Sequence, residues 1–334
     1  MIESNYKKEV LSENLIESPV FENNLRPKLL SEYIGQESLK NNLNIAIKSA
    51  KIRNDTLDHI LLHGPAGTGK TTLANIIATE LSSSLKITSG PALEKVSDIA
   101  SILSNLSEND VLFIDEIHRL KSSIEEVLYT AMEDFAIDII IGKGPSARTM
   151  RINLPKFTLV GATTKISMLS SPLRDRFGNV FHFQNYKNVE IKEILSRSAK
   201  ILDLKIKEDA LSILASCSRK TPRIANRLLK RIRDFALFHN IDIISKNDLS
   251  NALKNLGIDE LGLDERDREI LSIIAKKFAG GPVGLSTIAA AVKDEEDTIE
   301  SVYEPFLIQL GFLERTPRGR MLTKNAYKHL NLKQ

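Results

Sequence analysis

The chain has 334 residues, of which 42% are hydrophobic and 27% charged, and its formal net charge at pH 7 is +3. These proportions are typical of globular proteins outside membranes, and the length predicts two or three domains rather than a single core. No apolar run is long enough for a membrane span, and the acidic N-terminus lacks the features of a signal or transit peptide, so we expect a cytoplasmic protein.

The residues that commonly bind metals show no metal-binding spacing. Cys217 is the single cysteine and lies in an apolar helical pattern, which predicts burial. His59 and His63 bracket a predicted strand and would not share a helical face. We therefore expect no metal site made of protein ligands alone.

The predicted elements divide the chain into four segments. Residues 1–24 are polar and lack periodicity, which predicts a flexible N-terminal tail. Residues 25–186 alternate strand-like and helix-like runs, as in an α/β domain with a mostly parallel sheet. Residues 187–260 show helical periodicity and predict a small helical domain, and residues 261–334 have the outline of a winged helix, with three helices and two short strands.

Three continuous apolar runs in the α/β domain predict strands that are covered on both faces: residues 59–62, 111–114 and 157–162. Between the last two, residues 136–154 predict a β-hairpin with a turn at residues 142–145. A hairpin with so many isoleucines needs a cover, and either a partner or its own domain supplies it.

Residues 64–71 match the phosphate-binding pattern G-x-x-x-x-G-K-[ST] completely. Its glycines allow backbone N–H groups to surround phosphate oxygens, while the lysine reaches the β- and γ-phosphates and the threonine ligates Mg²⁺. A helical pattern follows, so the N-terminus of that helix should face the phosphates. The motif predicts ATP and Mg²⁺ as ligands, and its candidate contacts are Gly67, Gly69, Lys70, Thr71 and Thr72.

Asp115 and Glu116 follow directly after the second predicted strand. Because ligands of open α/β sheets bind at the carboxyl ends of the strands, Asp115 is expected to hold Mg²⁺ and Glu116 to orient or deprotonate the attacking water. The alternative is an acidic helix start, in which Glu116 caps the helix that follows. Thr163 and Thr164 end the third predicted strand, where a hydroxyl either contacts the γ-phosphate or serves ordinary turn chemistry.

The order of these motifs resembles the AAA+ ATPases, and more closely the RuvB family of bacterial motors that drive branch migration of Holliday junctions. The P-loop and the Asp–Glu pair indicate only the superfamily, whereas residues 171–178, 221–227 and 311–320 are specific to this family. The resemblance covers nearly everything after the tail, and its other stretches are residues 25–28, 33–36, 117–120 and 161–164. It implies an AAA+ P-loop NTPase core with a parallel sheet, a small helical lid domain and a winged-helix domain.

The resemblance also implies roles for individual residues. Leu25, Arg26, Ile34 and Gly35 would form the adenine pocket, and Tyr186 would close over the nucleotide. Thr164 would be the first sensor and Arg223 the second sensor, which reaches the phosphates from the helical lid. Arg176 would be the arginine finger. A finger that enters the neighbouring subunit's site requires a ring, so a homohexamer on DNA is implied. Arg174 lies two residues away, and either arginine could instead pair with Asp175 or another surface acid.

The basic C-terminal end is the predicted DNA contact. Residues 311–334 contain six basic side chains and one acidic side chain. The last helix of the winged helix carries Glu300 and Glu304, so phosphate repulsion argues against its deep insertion into a groove. The predicted wing carries Arg315, Arg318 and Arg320 together with the lysines that follow, and the three arginines are the candidate contacts with the DNA backbone. By resemblance, Arg315 and Arg320 touch DNA. The alternative is a solvated basic hairpin.

The implied function is an ATP-driven translocase that promotes branch migration of Holliday junctions during homologous recombination and DNA repair. The implied partners are duplex and junction DNA, the junction-binding protein RuvA at the 136–154 hairpin, and RuvC in the resolving complex. Two other classes stay open on the sequence. One is a different AAA+ enzyme, such as a clamp-loader subunit or a DEAH-like helicase, against which the 221–223 motif and the winged end count. The other is a nucleotide-switched DNA-binding protein.

Overall fold

A computed structural model describes residues 25–141 and 148–332. The predicted tail, residues 1–24, and the predicted hairpin turn at 142–145 lie outside the described residues. The chain divides into two compact units, one made of residues 1–201 with 221–223, and the other of residues 202–220 with 224–334. No helix in the described part of the chain is long and apolar enough to cross a membrane.

A five-stranded parallel sheet lies at the centre of the first unit, in the order β2-β3-β6-β1-β7. Its strands are β1 (Ile60–His63), β2 (Leu85–Ser89), β3 (Val111–Asp115), β6 (Thr158–Thr163) and β7 (Asn179–His182). Strands β1 and β6 each begin one residue later than predicted. Beside their starts, the ring of His59 accepts a hydrogen bond from the backbone N–H of Leu159.

Helices cover both faces of this sheet, as continuous apolar strands require. Alternate strand residues pack into two separate cores, with Leu62 and Phe113 on one face and Leu61 and Leu112 on the other. The first core is closed by α1 (Glu37–Arg53) and α2 (Lys70–Leu81), the second by α3 (Val96–Ser104) and α4 (Ser122–Glu133). The remaining helices of this unit are α5 (Ser171–Asp175), α6 (Asn188–Ile201) and short 3-10 turns at Leu30–Glu32, Gly90–Ala92, Ile117–Arg119 and Ile166–Met168.

The β-hairpin consists of β4 (Ala136–Ile141) and β5 (Arg148–Asn153), which pair antiparallel from Ala136 opposite Asn153 to Ile141 opposite Arg148. Its base is part of the domain core, because Ile137 is buried and Ile152 packs against the same cluster. Further along, Met150 is 46% exposed. The base therefore packs on its own domain while part of β5 faces solvent.

The second unit contains the rest of the helical segment and the winged helix. Its first part has α7 (Glu208–Ser216), α8 (Pro222–Phe238) and α9 (Lys246–Asn255), with two short parallel strands that were not predicted, β8 (Lys205–Ile206) and β9 (Ile243–Ile244). By its contacts, α6 groups with the first unit, whereas the domain boundary predicted from the sequence places it in the small helical domain.

The winged helix begins with α10 (Glu265–Lys277) and α11 (Leu285–Val292). Residues 296–309, called the acidic helix below, comprise α12 (Glu296–Thr298), a π-helical segment (Ile299–Tyr303) and α13 (Glu304–Gln309). The wing is β10 (Leu313–Thr316) paired antiparallel with β11 (Gly319–Leu322). Lys324 and Lys328 lie on a helix that was not predicted, α14 (Lys324–His329), rather than on the wing.

Candidate functional site

The P-loop leaves the end of β1 beside the end of β6, because the backbone N–H of Gly64 donates to the carbonyl of Thr163 over 3.2 Å. Gly64 has a φ of +144°, and a Cβ on it would lie 2.5 Å from the carbonyl oxygen of Phe183. Gly69 has a φ of +102° and precedes α2, and a Cβ there would lie 2.7 Å from the hydroxyl of Tyr33. Only glycine fits either position, and α2 begins directly after the loop.

Lys70 lies inside this loop with 7% of its surface exposed. Its ammonium donates to the carbonyls of Gly64 (2.9 Å) and Pro65 (2.8 Å). Burial lowers the pKa of Lys70 to about 8, with Asp115 opposing the shift and Arg223 adding to it. The cation is thus present but poorly solvated, and it is available to an anion that enters the loop.

The two carboxylates after β3 have different environments. Asp115 is half-buried, and its Oδ1 accepts the backbone N–H of Glu116 over 2.9 Å. Glu116 is exposed, has a left-handed φ of 47° and lies before the 3-10 turn, yet its side chain makes no capping hydrogen bond. It pairs instead with Arg119 over 3.2 Å. The capping alternative is therefore wrong for the Glu116 side chain, which remains accessible to solvent.

The two threonines at the end of β6 are not equivalent. The hydroxyl of Thr163 is buried, forms a 2.9 Å hydrogen bond with Nδ1 of His118, and accepts the backbone N–H of Lys165. Thr164 is exposed. Only the second hydroxyl stands at the accessible edge of the sheet, and His118 fixes the turn beside it.

Two buried tyrosines support the loop from the other side. The hydroxyl of Tyr186 donates to the hydroxyl of Tyr33 over 3.0 Å and lies 3.2 Å from the carbonyl of Thr68. The Tyr33 hydroxyl lies 3.3 Å from the same carbonyl. Gln36 adds a second link, because its side-chain amide exchanges two hydrogen bonds with the backbone of Gln184.

The residues of the predicted adenine pocket lie near Tyr33 in the chain. Leu25 is 4% exposed and its carbonyl accepts a hydrogen bond from Arg197 over 3.2 Å. Gly35 is buried, and Ile34 and Arg26 are half-buried. Leu25 and Gly35 are thus covered, whereas Arg26 and Ile34 keep partial access to solvent.

Arg223 is the predicted second sensor and reaches the P-loop through its backbone. Its N–H donates to the carbonyl of Gly67 over 3.3 Å, while its side chain is exposed. Thr221 is 8% exposed, and its hydroxyl is buried without a hydrogen-bond partner among the described residues. The start of α8 is therefore tied directly to the phosphate loop.

Arg176 lies at the end of α5 and is held within its own chain. It donates to the carbonyl of Pro172 (2.7 Å) and to Glu133 (3.1 Å), and its guanidinium lies 4.6 Å from the centre of the Tyr129 ring. Arg174 lies 3.8 Å from Asp175. In the single chain both arginines form ion pairs, as the surface alternative predicts.

Arg315 and Arg320 stand opposite each other on the wing and share one acid. Both bind Glu304, which is 1% exposed, at 2.9 and 3.0 Å, and Arg315 also binds Glu300 at 3.1 Å. Burial raises the pKa of Glu304, but the hydrogen bonds from Arg315 and Arg320 outweigh it, and the pKa lies below its ordinary value. The expected repulsion of DNA by Glu300 and Glu304 is therefore largely offset, because wing arginines neutralise both acids.

Three family models match consecutive parts of the chain. They are the Holliday junction DNA helicase RuvB P-loop domain at residues 25–183, the RuvB AAA lid domain at 186–259 and the RuvB C-terminal winged helix domain at 260–331. The Holliday junction branch migration complex subunit RuvB of Dehalococcoides mccartyi strain CBDB1 is 53% identical over 330 residues, which are 98% of this chain and 95% of that protein. The chain belongs to the RuvB family.

Solved structures of RuvB have the same fold. The Thermotoga maritima RuvB Holliday junction branch migration motor has a TM-score of 0.85 at 49% identity, and the match covers 93% of this chain and 99% of that one. A mutant of T. maritima RuvB has the same TM-score and coverage at 50% identity.

Membership of the RuvB family confirms the predicted fold class and makes the chain an AAA+ ATPase that binds nucleotide. The clamp-loader and DEAH-like helicase alternatives are thereby wrong. Three site residues were not singled out from the sequence: Tyr33, His118 and Glu304 as the partner of the wing arginines. Tyr33 and His118 both lie within stretches that resemble the family, and this position was the only feature of the sequence that could have indicated a role in the site.

Proposed function

We propose that the chain is an ATP-driven motor that pulls duplex DNA through a homohexameric ring and drives branch migration of Holliday junctions in homologous recombination and DNA repair. The observation that carries the proposal is a complete phosphate loop beside Asp115 and Glu116, in a chain that matches RuvB from the P-loop domain to the wing. A cytoplasmic location is consistent with work on DNA and forms part of the proposal.

The P-loop backbone and the N-terminus of α2 receive the phosphates of ATP, with Gly67, Gly69 and Thr72 as contacts. Lys70 exchanges its two carbonyl partners for phosphate oxygens, which restores the solvation that burial removed. Leu25, Arg26, Ile34 and Gly35 enclose the adenine, and Tyr186 closes the nucleotide while keeping its hydrogen bond to Tyr33.

The oxygen ligands of Thr71 and Asp115 suit Mg²⁺, which prefers hydroxyl, carboxylate and phosphate oxygens. When bound, Mg²⁺ neutralises the charge on the β- and γ-phosphates. Glu116 is exposed and not used as a cap, so its carboxylate orients and deprotonates the attacking water. Thr164 offers the exposed hydroxyl that contacts the water or the γ-phosphate.

Arg176 supplies the positive charge that the neighbouring site needs during phosphoryl transfer, and Arg223 supplies one from the lid of the same chain. Release of Arg176 from Glu133 is a necessary step, because a guanidinium bound to its own subunit cannot reach across. Because the charge on Arg176 serves the site of the neighbouring subunit, ATP hydrolysis depends on ring assembly.

The wing contacts the DNA backbone without reading bases, as a motor on arbitrary sequence requires. Arg318 is the exposed arginine of its turn, and Arg315 and Arg320 approach phosphates while bound to Glu304. Residues 136–154 dock RuvA, since Met150 on β5 is exposed although the base of the hairpin is buried. RuvC joins in the resolving complex.

Steady-state ATP hydrolysis tests the proposal against the nucleotide-switch alternative. It is measured without DNA, with linear duplex and with a synthetic four-way junction, using Lys70→Ala as the control without a phosphate-binding cation. We expect continued turnover that DNA stimulates. A single round of hydrolysis followed by arrest, with DNA held or released, would support the switch and contradict the motor.

A further inference from the structure

Arg219 lies in the short turn between α7 and α8, two residues before the segment that touches the P-loop. Arg219 and Lys220 both have left-handed backbone conformations, with φ values of 49° and 53°. Two consecutive residues of this kind, neither of them glycine, are strained, and such turns persist where surrounding contacts fix them. The Arg219 side chain is 14% exposed, so its charge is largely removed from water.

The guanidinium of Arg219 contacts two separate helices of the winged helix. Its Nη2 donates to Asp264 (2.9 Å) and Asp267 (2.5 Å), the two acids that form the capping box at the start of α10. Its Cζ lies 4.5 Å from the centre of the Phe306 ring in the acidic helix. One side chain therefore fixes both the first helix of the winged helix and the helix beneath the wing.

Phe306 leads directly to the predicted DNA contacts. It follows Glu304 by two residues on α13, and Glu304 binds both Arg315 and Arg320. A displacement of the acidic helix would therefore move the two wing arginines with it, since Glu304 is buried and its bonds to them are short and charged.

On its other side, Arg219 is two peptide units from Thr221, where the segment tied to the P-loop begins. The N–H of Arg223 donates to the carbonyl of Gly67, so a change in the loop on nucleotide binding acts on the start of α8. We propose that Arg219 is a positioning residue that transmits the nucleotide state of the P-loop to the wing. The proposal rests on the proposed function and adds a specific side chain to it.

An arginine suits this role for two physical reasons. Its planar, forked guanidinium can bond two carboxylates and stack on an aromatic ring at once, which a lysine ammonium cannot do. Asp267 is fully buried, and its Oδ1 has no hydrogen-bond partner among the described residues, so Arg219 is the cation that balances its charge.

The competing explanation is purely structural, in which Arg219 does no more than neutralise Asp267. Two variants of the full-length protein separate the explanations. Arg219→Met leaves Asp267 unbalanced and is expected to lower the melting temperature, whereas Arg219→Met with Asp267→Asn removes the stranded charge and restores folding. Arg266→Met is the control for loss of an arginine charge on α10, where Arg266 pairs with Glu269 over 2.7 Å and with Asp294 over 3.8 Å.

The readout is the ratio of duplex dissociation constants without nucleotide and with a non-hydrolysable ATP analogue, together with the affinity for the analogue itself. We expect the wild type and Arg266→Met to show a ratio that differs from one by about fivefold or more. In the double variant the ratio should fall to about one, while analogue affinity and nucleotide-free duplex affinity stay within about twofold of wild type.

The proposal would be overturned if the double variant had the same ratio of duplex dissociation constants as the wild type. It would also be overturned if the duplex affinity of the wild type did not change on binding the ATP analogue. The folded double variant could also lose affinity for the analogue and for duplex DNA in the same proportion. That result would overturn the proposal too, because a general structural defect weakens both kinds of binding equally. Branch migration is assayed separately on the wild type, so failure of the proposed function is seen there and not in this ratio.

Discussion

The hydroxyl groups of Tyr33 and Tyr186 form a buried hydrogen bond of 3.0 Å between residues 153 positions apart in the chain. Burial raises the pKa of Tyr186 to about 12 and that of Tyr33 well above its ordinary value, so both phenols stay neutral at every physiological pH. Both lie within hydrogen-bond distance of the Thr68 carbonyl. The pair thus joins the segment before α1 to the end of the sheet, directly beneath the phosphate loop.

A double-mutant cycle tests whether this pair acts as a unit. Tyr33→Phe and Tyr186→Phe should each lower the free energy of unfolding of the large domain by about 0.5–1.5 kcal/mol. Because the two hydroxyls share one hydrogen bond, the loss of unfolding free energy in the double variant should be smaller than the sum of the two single losses, by at least about 0.5 kcal/mol. Urea unfolding measures all four proteins, and strictly additive losses would show that the hydroxyls act independently.

Nucleotide binding should take up protons near pH 8. Burial chiefly lowers the pKa of Lys70 to about 8 in the free protein, and phosphate oxygens raise it again in the complex. The ATP dissociation constant should therefore be flat well below pH 8 and rise by up to about tenfold per pH unit above it.

Calorimetry at pH 8 in two buffers of different ionisation enthalpy measures the proton uptake directly. Lys70→Arg is the control, because its guanidinium stays protonated and its binding should not vary with pH. Equal wild-type affinity at pH 7 and pH 9, without proton uptake, would contradict the assignment.

Arg176→Ala should leave ATP binding intact and lower turnover by about 10³- to 10⁵-fold, as expected for loss of an arginine finger. Arg174→Ala should have a smaller effect, because the RuvB resemblance gives the finger role to Arg176 and not to Arg174. Mixing Arg176→Ala with Lys70→Ala subunits should restore some turnover, since intact sites form between unlike subunits. Normal hydrolysis by Arg176→Ala alone would refute the trans role.

The three wing arginines should differ in their effect on stability, because Arg315 and Arg320 bind the buried Glu304 whereas Arg318 is exposed. Arg320→Ala removes one of two cations from Glu304, which is 1% exposed, and should cost about 1.5–3 kcal/mol of unfolding free energy. Arg318→Ala should change stability by less than about 0.5 kcal/mol. Thermal unfolding of the two variants measures this difference.

Arg318→Ala should instead weaken duplex binding equally for all sequences and reduce the salt slope by about one phosphate contact. Duplex affinity measured across a range of salt concentrations gives this slope. A sequence-dependent loss, or an unchanged salt slope, would place the DNA contact elsewhere.

The parts of the site that the sequence predicted are those that neighbouring residues determine. Residues 64–71 are consecutive, so the spacing of Gly64, Gly69 and Lys70 follows from the chain itself, and Asp115 comes directly after an apolar strand. Since carboxyl ends of parallel strands meet at one edge of a sheet, these residues were expected to lie together.

The remaining features depend on packing between distant segments. Nothing local to Tyr33 indicates that its hydroxyl bonds to Tyr186. Likewise, the sequence around Glu300 and Glu304 does not show that wing arginines pair with both acids. The C-terminal helix α14 was missed because its basic residues were interpreted as part of the wing.

The most direct test of the proposed motor follows a synthetic four-way junction together with ATP consumption in one reaction. The protein is supplied with Mg²⁺ and the junction-binding partner RuvA, and Glu116→Gln serves as the control that binds ATP without hydrolysing it. The proposal predicts ATP-dependent conversion of the junction into branch-migrated duplexes, enhanced by RuvA and absent with Glu116→Gln. Sustained ATP hydrolysis beside an intact junction would contradict it.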